Sequence, residues 1–337
     1  MKTRDTLITM DDGSGGKQSD RLIRDRILPS IGNPLLNRLG DGAVFAIEGV
    51  RLAFSTDAYV VDPIFFPGGS IGRLAVCGTV NDLSMCAATP LYLSSSLIIE
   101  EGFPLSDLDR ILDDMAEAAK QAGVTIVTGD TKVVPKGVAD RIFITTSGIG
   151  VLRGVSLTET TLTPGDRIIV SGTLADHGMA ILSARENMGV SSAIVSDTAP
   201  LNHLVAAMFE SGADIKFLRD PTRGGLATVL HELAHDAGAG VAIDESAIPM
   251  TPAVSALCSL LGFDPLYVAN EGKLVAVVAE KDADSLVRLM RDQNEGRDAA
   301  IIGEVVSPGQ AAVTLRTAIG GERIVPWLSG EQLPRIC

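Results

Sequence analysis

Aromatic side chains, paired cysteines, positive charge and long apolar runs are all scarce in this chain, and each shortage closes off a class of function. Only 4% of the 337 residues are aromatic while 35 are glycine, so an aliphatic core with many tight turns is expected. Cys77, Cys86, Cys258 and Cys337 are scattered with no Cys-x-x-Cys pair. That suits a reducing compartment, and argues against a disulfide framework or a thiolate zinc site. With 28 basic against 42 acidic residues, the formal net charge of -14 argues against nucleic acid or an anionic membrane as partner. It is compatible with a nucleotide, because Mg²⁺ can sit between carboxylates and phosphates. Charged residues or glycines interrupt every apolar run before spanning length, and Met1-Lys2-Thr3-Arg4-Asp5 has no signal-peptide core. A cytoplasmic protein is expected. What is present is 46% hydrophobic content over a length that favours two domains.

The glycine-rich stretch Asp11-Asp12-Gly13-Ser14-Gly15-Gly16-Lys17 precedes an amphipathic segment with Leu22, Ile23, Ile27 and Leu28 on one face. It is not a P-loop, since Gln18 stands where Ser or Thr is needed. Strands are expected at 43–47 and 52–56, bordered by Asp41 and Asp57. A helix burying Ile71, Leu74 and Ala75 should close on Gly78-Thr79-Val80-Asn81-Asp82, with a strand at 91–99 behind it. Ser106 and Asp109 suit a capping box for a helix carrying Leu108, Ile111, Leu112, Met115 and Ala119, ended by Gly123. A buried strand at 124–127 should exit onto Gly129-Asp130-Thr131-Lys132, and Ile142, Ile144 and Thr146 alternate in the strand that completes an α+β half.

Thr163-Pro164-Gly165-Asp166 reads as the boundary to a second α+β half. It should hold strands at 167–171, 274–279, 300–306 and 311–316, a helix opened by Asp176-His177-Gly178, and another at 201–209. Asp220-Pro221-Thr222-Arg223-Gly224-Gly225 is a turn at a helix N-terminus, where backbone donors favour anions.

A lone aspartate beside a strand is ordinarily turn chemistry. Asp41, Asp57, Asp82 and Asp130 each stand beside Gly, Thr or Asn at an element end, where carboxylates converging on one sheet edge would bind Mg²⁺. His231-Glu232-Leu233-Ala234-His235 matches the zinc metallopeptidase pattern. Its helix, however, buries Leu226, Val229, Leu230 and Leu233, which leaves both histidines on a polar side and no third ligand at an evident spacing. The last residue, Cys337, carries a thiol on a tail that can reach into a pocket and withdraw.

With Gly13-Ser14-Gly15-Gly16, Phe54-Ser55-Thr56-Asp57, Cys77-Gly78-Thr79-Val80-Asn81-Asp82, Val127-Thr128-Gly129-Asp130-Thr131-Lys132, Thr222-Arg223-Gly224-Gly225, Ala269-Asn270-Glu271-Gly272-Lys273 and Pro334-Arg335-Ile336-Cys337 in view, the chain resembles the HypE family of NiFe-hydrogenase maturation proteins. That family lies in the PurM-like (aminoimidazole ribonucleotide synthetase) superfamily. The resemblance covers nearly the whole chain and implies two mixed α/β domains, at 39–155 and 163–325, flanked by an N-terminal loop and helix (1–38) and a flexible tail (326–337).

It implies that HypF carbamoylates Cys337, that ATP-dependent dehydration converts the S-carboxamide to S-cyanocysteine, and that the cyanide passes to a HypC–HypD complex. A homodimer is also implied. Carried over by motif, Asp41, Asp57, Asp82, Asp130 and Asp220 would hold metal. Asp57, Asn81, Asp82, Asp130, Thr131, Lys132, Thr222, Arg223, Gly224, Gly225, Gly15 and Gly16 would meet ATP, and Cys337, Glu271 and Lys132 would be catalytic. Two other readings stand beside this one: another amide-activating enzyme of the same fold, and a scaffold whose tail is a docking peptide.

Overall fold

Period-two alternation in the first half builds a sheet with one covered face. The computed structural model describes residues 7–152, 157, 161–186, 188, 194–307, 313–330, 333, 336 and 337. Pro334 and Arg335, the domain limit at 155 and the first two residues of the strand expected at 311–316 lie outside the described residues. The glycine-rich loop leads into α1 (Lys17–Leu22) and α2 (Leu28–Ile31), where the expected apolar face is at most half-buried.

Next come β1 (Ala43–Ile47), β2 (Val50–Tyr59) and the small hairpin of β3 (Phe65–Phe66) and β4 (Gly69–Ser70). The half is completed by α3 (Ile71–Met85), β5 (Ala88–Glu100), α4 (Leu105–Ala122), β6 (Thr125–Val134) and β7 (Ile142–Leu152). The sheet runs β1-β2-β7-β5-β6, antiparallel except for the β5–β6 edge pair. Ile142, Ile144 and Thr146 face the core under α3 and α4, as the alternation predicts. Phe54, Tyr92 and Ile98, on the other face, are exposed.

Three local expectations are corrected. Gly78 to Asp82 do not close α3 but lie inside it. Ser106 is not an N-cap: α4 starts at Leu105 after Pro104, without a side-chain cap. The strand expected buried at 124–127 is instead the start of β6, a ten-residue edge strand: Val124 just ahead of it is buried, but Val127 is 58% exposed, and Asp130 sits in the middle of the strand.

In the second half the apolar runs are continuous, as strands covered on both faces require. The described elements are β8 (Arg167–Val170), α5 (Asp176–Arg185), α6 (Asn202–Glu210), β9 (Ile215–Arg219), α7 (Gly225–Ala237), β10 (Gly240–Asp244), α8 (Pro252–Leu261), β11 (Val275–Val278), α9 (Glu280–Arg291), β12 (Ala300–Val306), β13 (Val313–Arg316) and β14 (Glu322–Val325). Seven strands run β14-β13-β10-β12-β8-β11-β9. One face packs on α7 through Ile168, Val170, Val275 and Val277. The other packs on α6 and α9 through Ile169, Ala276 and Val278. Among the described residues no helix is long and apolar enough to cross a membrane.

Several contacts strap the halves together, three of which bear on the site. Asn81, in α3, donates through Nδ2 to the carbonyls of Ala199 (3.1 Å) and Glu271 (3.2 Å), and accepts from Leu201 N–H at 2.8 Å. Arg73 Nε donates to Thr198 O. Ile336 and Cys337 at the chain end are buried in the first-half core beside α5.

Candidate active site

The site forms where β2, α3 and the turn after β9 meet. Asp41, Asp82 and Asp220 each place a carboxylate oxygen within 4.8 Å of the others. Asp41 arrives just ahead of β1, Asp82 from the last turn of α3, and Asp220 directly after β9. Ser55 Oγ lies 2.5 Å from Asp82 Oδ2 and 2.9 Å from the Asp41 carbonyl. Arg219 closes the cluster, with Nε 2.9 Å from Asp41 Oδ1 and Nη1 3.3 Å from Glu232 Oε2.

Burial pushes the carboxyls of Asp82 and Asp220 well above their usual range, and neighbouring aspartates push the same way. For Asp41 burial also raises it, against the Arg219 guanidinium. Carboxylates crowded like this repel one another unless a cation or protons intervene. A group of hard oxygens is the donor set that Mg²⁺ prefers.

A cleft of about 690 Å³ opens over these groups, with Gly13, Gly15, Asp41, Thr56, Thr222 and Arg223 among its walls. A second cavity of about 290 Å³, lined by Ser14, Arg223, Gly224, Ile336 and Cys337, adjoins it through their shared Arg223. Gly15 has φ +79°, and a Cβ there would sit 2.8 Å from the Arg223 carbonyl. The glycine-rich loop therefore lies flat on the turn that presents Arg223.

Cys337 is buried, and the Val60 N–H donates to its carbonyl at 3.0 Å. Burial pushes its thiol up; the Arg223 guanidinium opposes this and Glu271 reinforces it. Glu271 is 3% exposed. Its backbone is fixed by Asn81 and by the Asp197 carboxylate, while its side-chain Oε1 has no hydrogen-bond partner. Burial, then Asp220, Asp57 and Asp197, raise it well above a normal glutamate. Asp57 is raised by burial against Arg223.

The structure brings Asp41, Asp57, Asp82, Asp220, Arg223, Glu271 and Cys337 together. Thr222 lines the larger cleft and Gly224 the smaller. Three expected positions are built differently. Asn81 spends its amide on the inter-half strap, because it projects from α3 toward 199–201 and 271 rather than into the cleft. Gly16 packs on Leu328, and Gly225 on Leu266 and Val268.

Asp130, Thr131 and Lys132 stand on the exposed edge strand, and the Lys132 ammonium pairs with Asp130 at 2.9 Å. Within one chain they do not join the cluster, because β6 is separated from β2 by β5 and β7. The His231 ring Nε2 donates to the Val325 carbonyl and stacks on Trp327, while His235 is exposed. Among the described residues neither histidine belongs to a cluster able to hold a metal ion.

Sequence reasoning missed Arg219, Tyr59 and Ser55 as site residues. Tyr59 is 1% exposed and sits against Gly78, where a Cβ would be 2.3 Å from its hydroxyl. The available signal was proximity in sequence: Arg219 directly precedes Asp220, and Ser55 and Tyr59 each stand two residues from Asp57.

Residues 39–152 match the family "AIR synthase related protein, N-terminal domain" and residues 163–316 its C-terminal counterpart. The chain is 53% identical over 332 residues to the carbamoyl dehydratase HypE of Cupriavidus necator, covering 98% of this chain and 95% of that one. Among solved structures it resembles a HypE–HypF complex, with TM-score 0.85 and 48% identity over 91% of this chain and 99% of the other. It also resembles a HypE bound to ATP, with TM-score 0.82 and 47% identity over 98% of this chain and 100% of the other.

Proposed function

We propose, from the premise that this chain belongs to the AIR synthase related family and within it to the HypE carbamoyl dehydratases, that it dehydrates a carbamoyl group carried on its own Cys337. The net change is R–S–C(=O)–NH₂ plus ATP to R–S–C≡N plus ADP and phosphate, so the amide oxygen leaves in the phosphate. One observation carries this reading: the Cys337 thiol is buried beside Arg223 and Glu271, in a cavity that adjoins the cleft lined by Asp41 and Asp220.

In this scheme the Glu271 carboxylate takes one proton from the carbamoyl nitrogen, and the second leaves on the departing phosphate. A carboxylate whose affinity for protons is raised by burial and by nearby aspartates is a stronger base than a free one. Arg223, donor-rich and always charged, meets the negative charge on the departing oxygen. Asp41, Asp82 and Asp220, with Asp57 beside them, would hold Mg²⁺, which supplies charge neutralisation for phosphoryl transfer.

HypF as carbamoyl donor is supported by the likeness to a HypE solved with HypF, and ATP as co-substrate by the likeness to a HypE solved with ATP. A HypC–HypD complex would receive the cyanide for the hydrogenase iron. A homodimer would form over the uncovered face of the first sheet. Asp130 and Lys132 pair with Ser96 and Ile98 in register, on the same face as exposed Tyr92. That placement suits groups acting in the partner's site.

The test is mass analysis of the C-terminal peptide after incubation with HypF, carbamoyl phosphate and ATP. A carbamoyl adduct should appear and then lose one water, and Glu271→Gln should stop at the adduct. An adduct that persists in the native protein with ATP bound defeats the mechanism.

A further inference from the structure

Of the buried ionisable groups, His177 is one that the chemistry above leaves unused. It stands near the start of α5, fully buried, with Phe66 edge-on to its ring at 5.5 Å between centroids. Both ring nitrogens are engaged. Nε2 meets the carbonyl oxygen of Ile336, the residue before Cys337. Nδ1 lies 2.8 Å from Ser196 Oγ, which is 2.7 Å from Thr198 Oγ1 and accepts from the Thr198 N–H at 3.2 Å.

These contacts fix the tautomer. A carbonyl oxygen can only accept, so the ring proton must be on Nε2. Ser196 accepts from the Thr198 backbone, which leaves its own proton for Nδ1. A neutral imidazole satisfies both contacts, and burial, which lowers the proton affinity of His177, favours that form. The segment bearing Ser196 and Thr198 is itself anchored, through Ser196 N–H on Pro67 O and Arg73 on Thr198 O.

We infer that His177 is a positioning residue, whose Nε2–H, aimed by Ser196 and Thr198, grips the Ile336 carbonyl and keeps the Cys337 sulfur at Arg223 and Glu271. The inference rests on the reading of Cys337 as the reacting group. Among the described residues, two hydrogen-bond donors hold the last two residues: the Val60 N–H on Cys337, which no substitution except proline removes, and the imidazole on Ile336. The upstream stretch is pinned to the glycine-rich loop, where Lys17 N–H donates to Leu328 O at 3.0 Å. Ile336 directly precedes Cys337, and consecutive Cα atoms are about 3.8 Å apart, so a hold on the Ile336 carbonyl governs where the sulfur rests.

The test is the rate of iodoacetamide alkylation of Cys337 in the free full-length protein, followed by peptide mass, with Cys77, Cys86 and Cys258 as internal controls. His177→Phe keeps a ring but loses the donor. It should speed alkylation of Cys337 roughly three- to tenfold, the range of one hydrogen bond, and leave the other three thiols unchanged. His177→Gln, whose amide can still donate, should restore most of the protection. In the carbamoylated protein, His177→Phe should slow water loss by a similar factor without changing the ATP concentration for half-maximal rate.

A wild-type Cys337 rate in His177→Phe, with the controls unmoved, overturns the inference. If His177→Phe exposes all four thiols, Ser196→Ala decides. That change removes one hydroxyl and frees the tautomer, and should speed Cys337 alone at least twofold; no change there overturns the inference equally. The alkylation arm needs neither carbamoyl donor nor nucleotide, so its outcome is independent of whether the proposed dehydration is correct.

Discussion

Ser55 has one hydroxyl proton and faces two acceptors, the Asp41 carbonyl and the Asp82 carboxyl. If the proton goes to Asp41, Asp82 must bring its own, which agrees with burial and neighbouring aspartates raising its proton affinity. A carboxyl raised on folding contributes stability below its unfolded value of about 4 and loses it as pH climbs toward the folded one. Asp82→Asn should therefore stabilise the protein without nucleotide by about 1 kcal/mol. The gain should be larger at pH 7 than at pH 5 in urea melts, and the variant should lose the added stability that Mg-ATP gives the native chain. A lower midpoint than wild type at pH 7 would show that charge crowding is not what burdens this site. The aspartates were legible because each stands in a short polar motif. Arg219 was not, because an arginine on a strand reads as surface until the fold sets it against Asp41.

The stretch from Gly78 to Asp82 shows where local reading of an element stops. Glycine, threonine, asparagine and aspartate in succession read as a turn, and glycine in a helix costs about 1 kcal/mol relative to alanine. The helix continues because Tyr59 leaves no room for a Cβ at Gly78, and because Asn81 finds three backbone partners in the other half. Asn81→Ala should cost about 2–4 kcal/mol in urea unfolding, since two buried backbone groups and a half-buried one lose their partner. The fraction still folded should bind ATP within a few-fold of wild type. A large loss of nucleotide affinity with unchanged stability would return Asn81 to the nucleotide site. β6 is the converse case, a run that reads as buried from its valines and lies exposed at an edge.

An exposed edge strand beside an uncovered sheet face invites pairing with another chain. If Asp130 and Lys132 serve the partner's site, inactive Lys132→Ala and inactive Cys337→Ala should regain cyanation when co-refolded. The Lys132→Ala subunit keeps its thiol and borrows a lysine from its partner. A mixture as inactive as its parents, in a sample that sedimentation shows to be dimeric, would place Lys132 in its own chain's site. The net charge of -14 and the aliphatic cores were fixed by composition, and the two α+β halves by periodicity, because alternation and helical spacing are local properties of a chain. Which aspartates crowd together, that Asn81 is a strap, and that His177 meets the chain end were decided only by the tertiary structure. Those contacts join positions as much as 190 residues apart, and no local pattern records which distant backbone group a buried side chain will find.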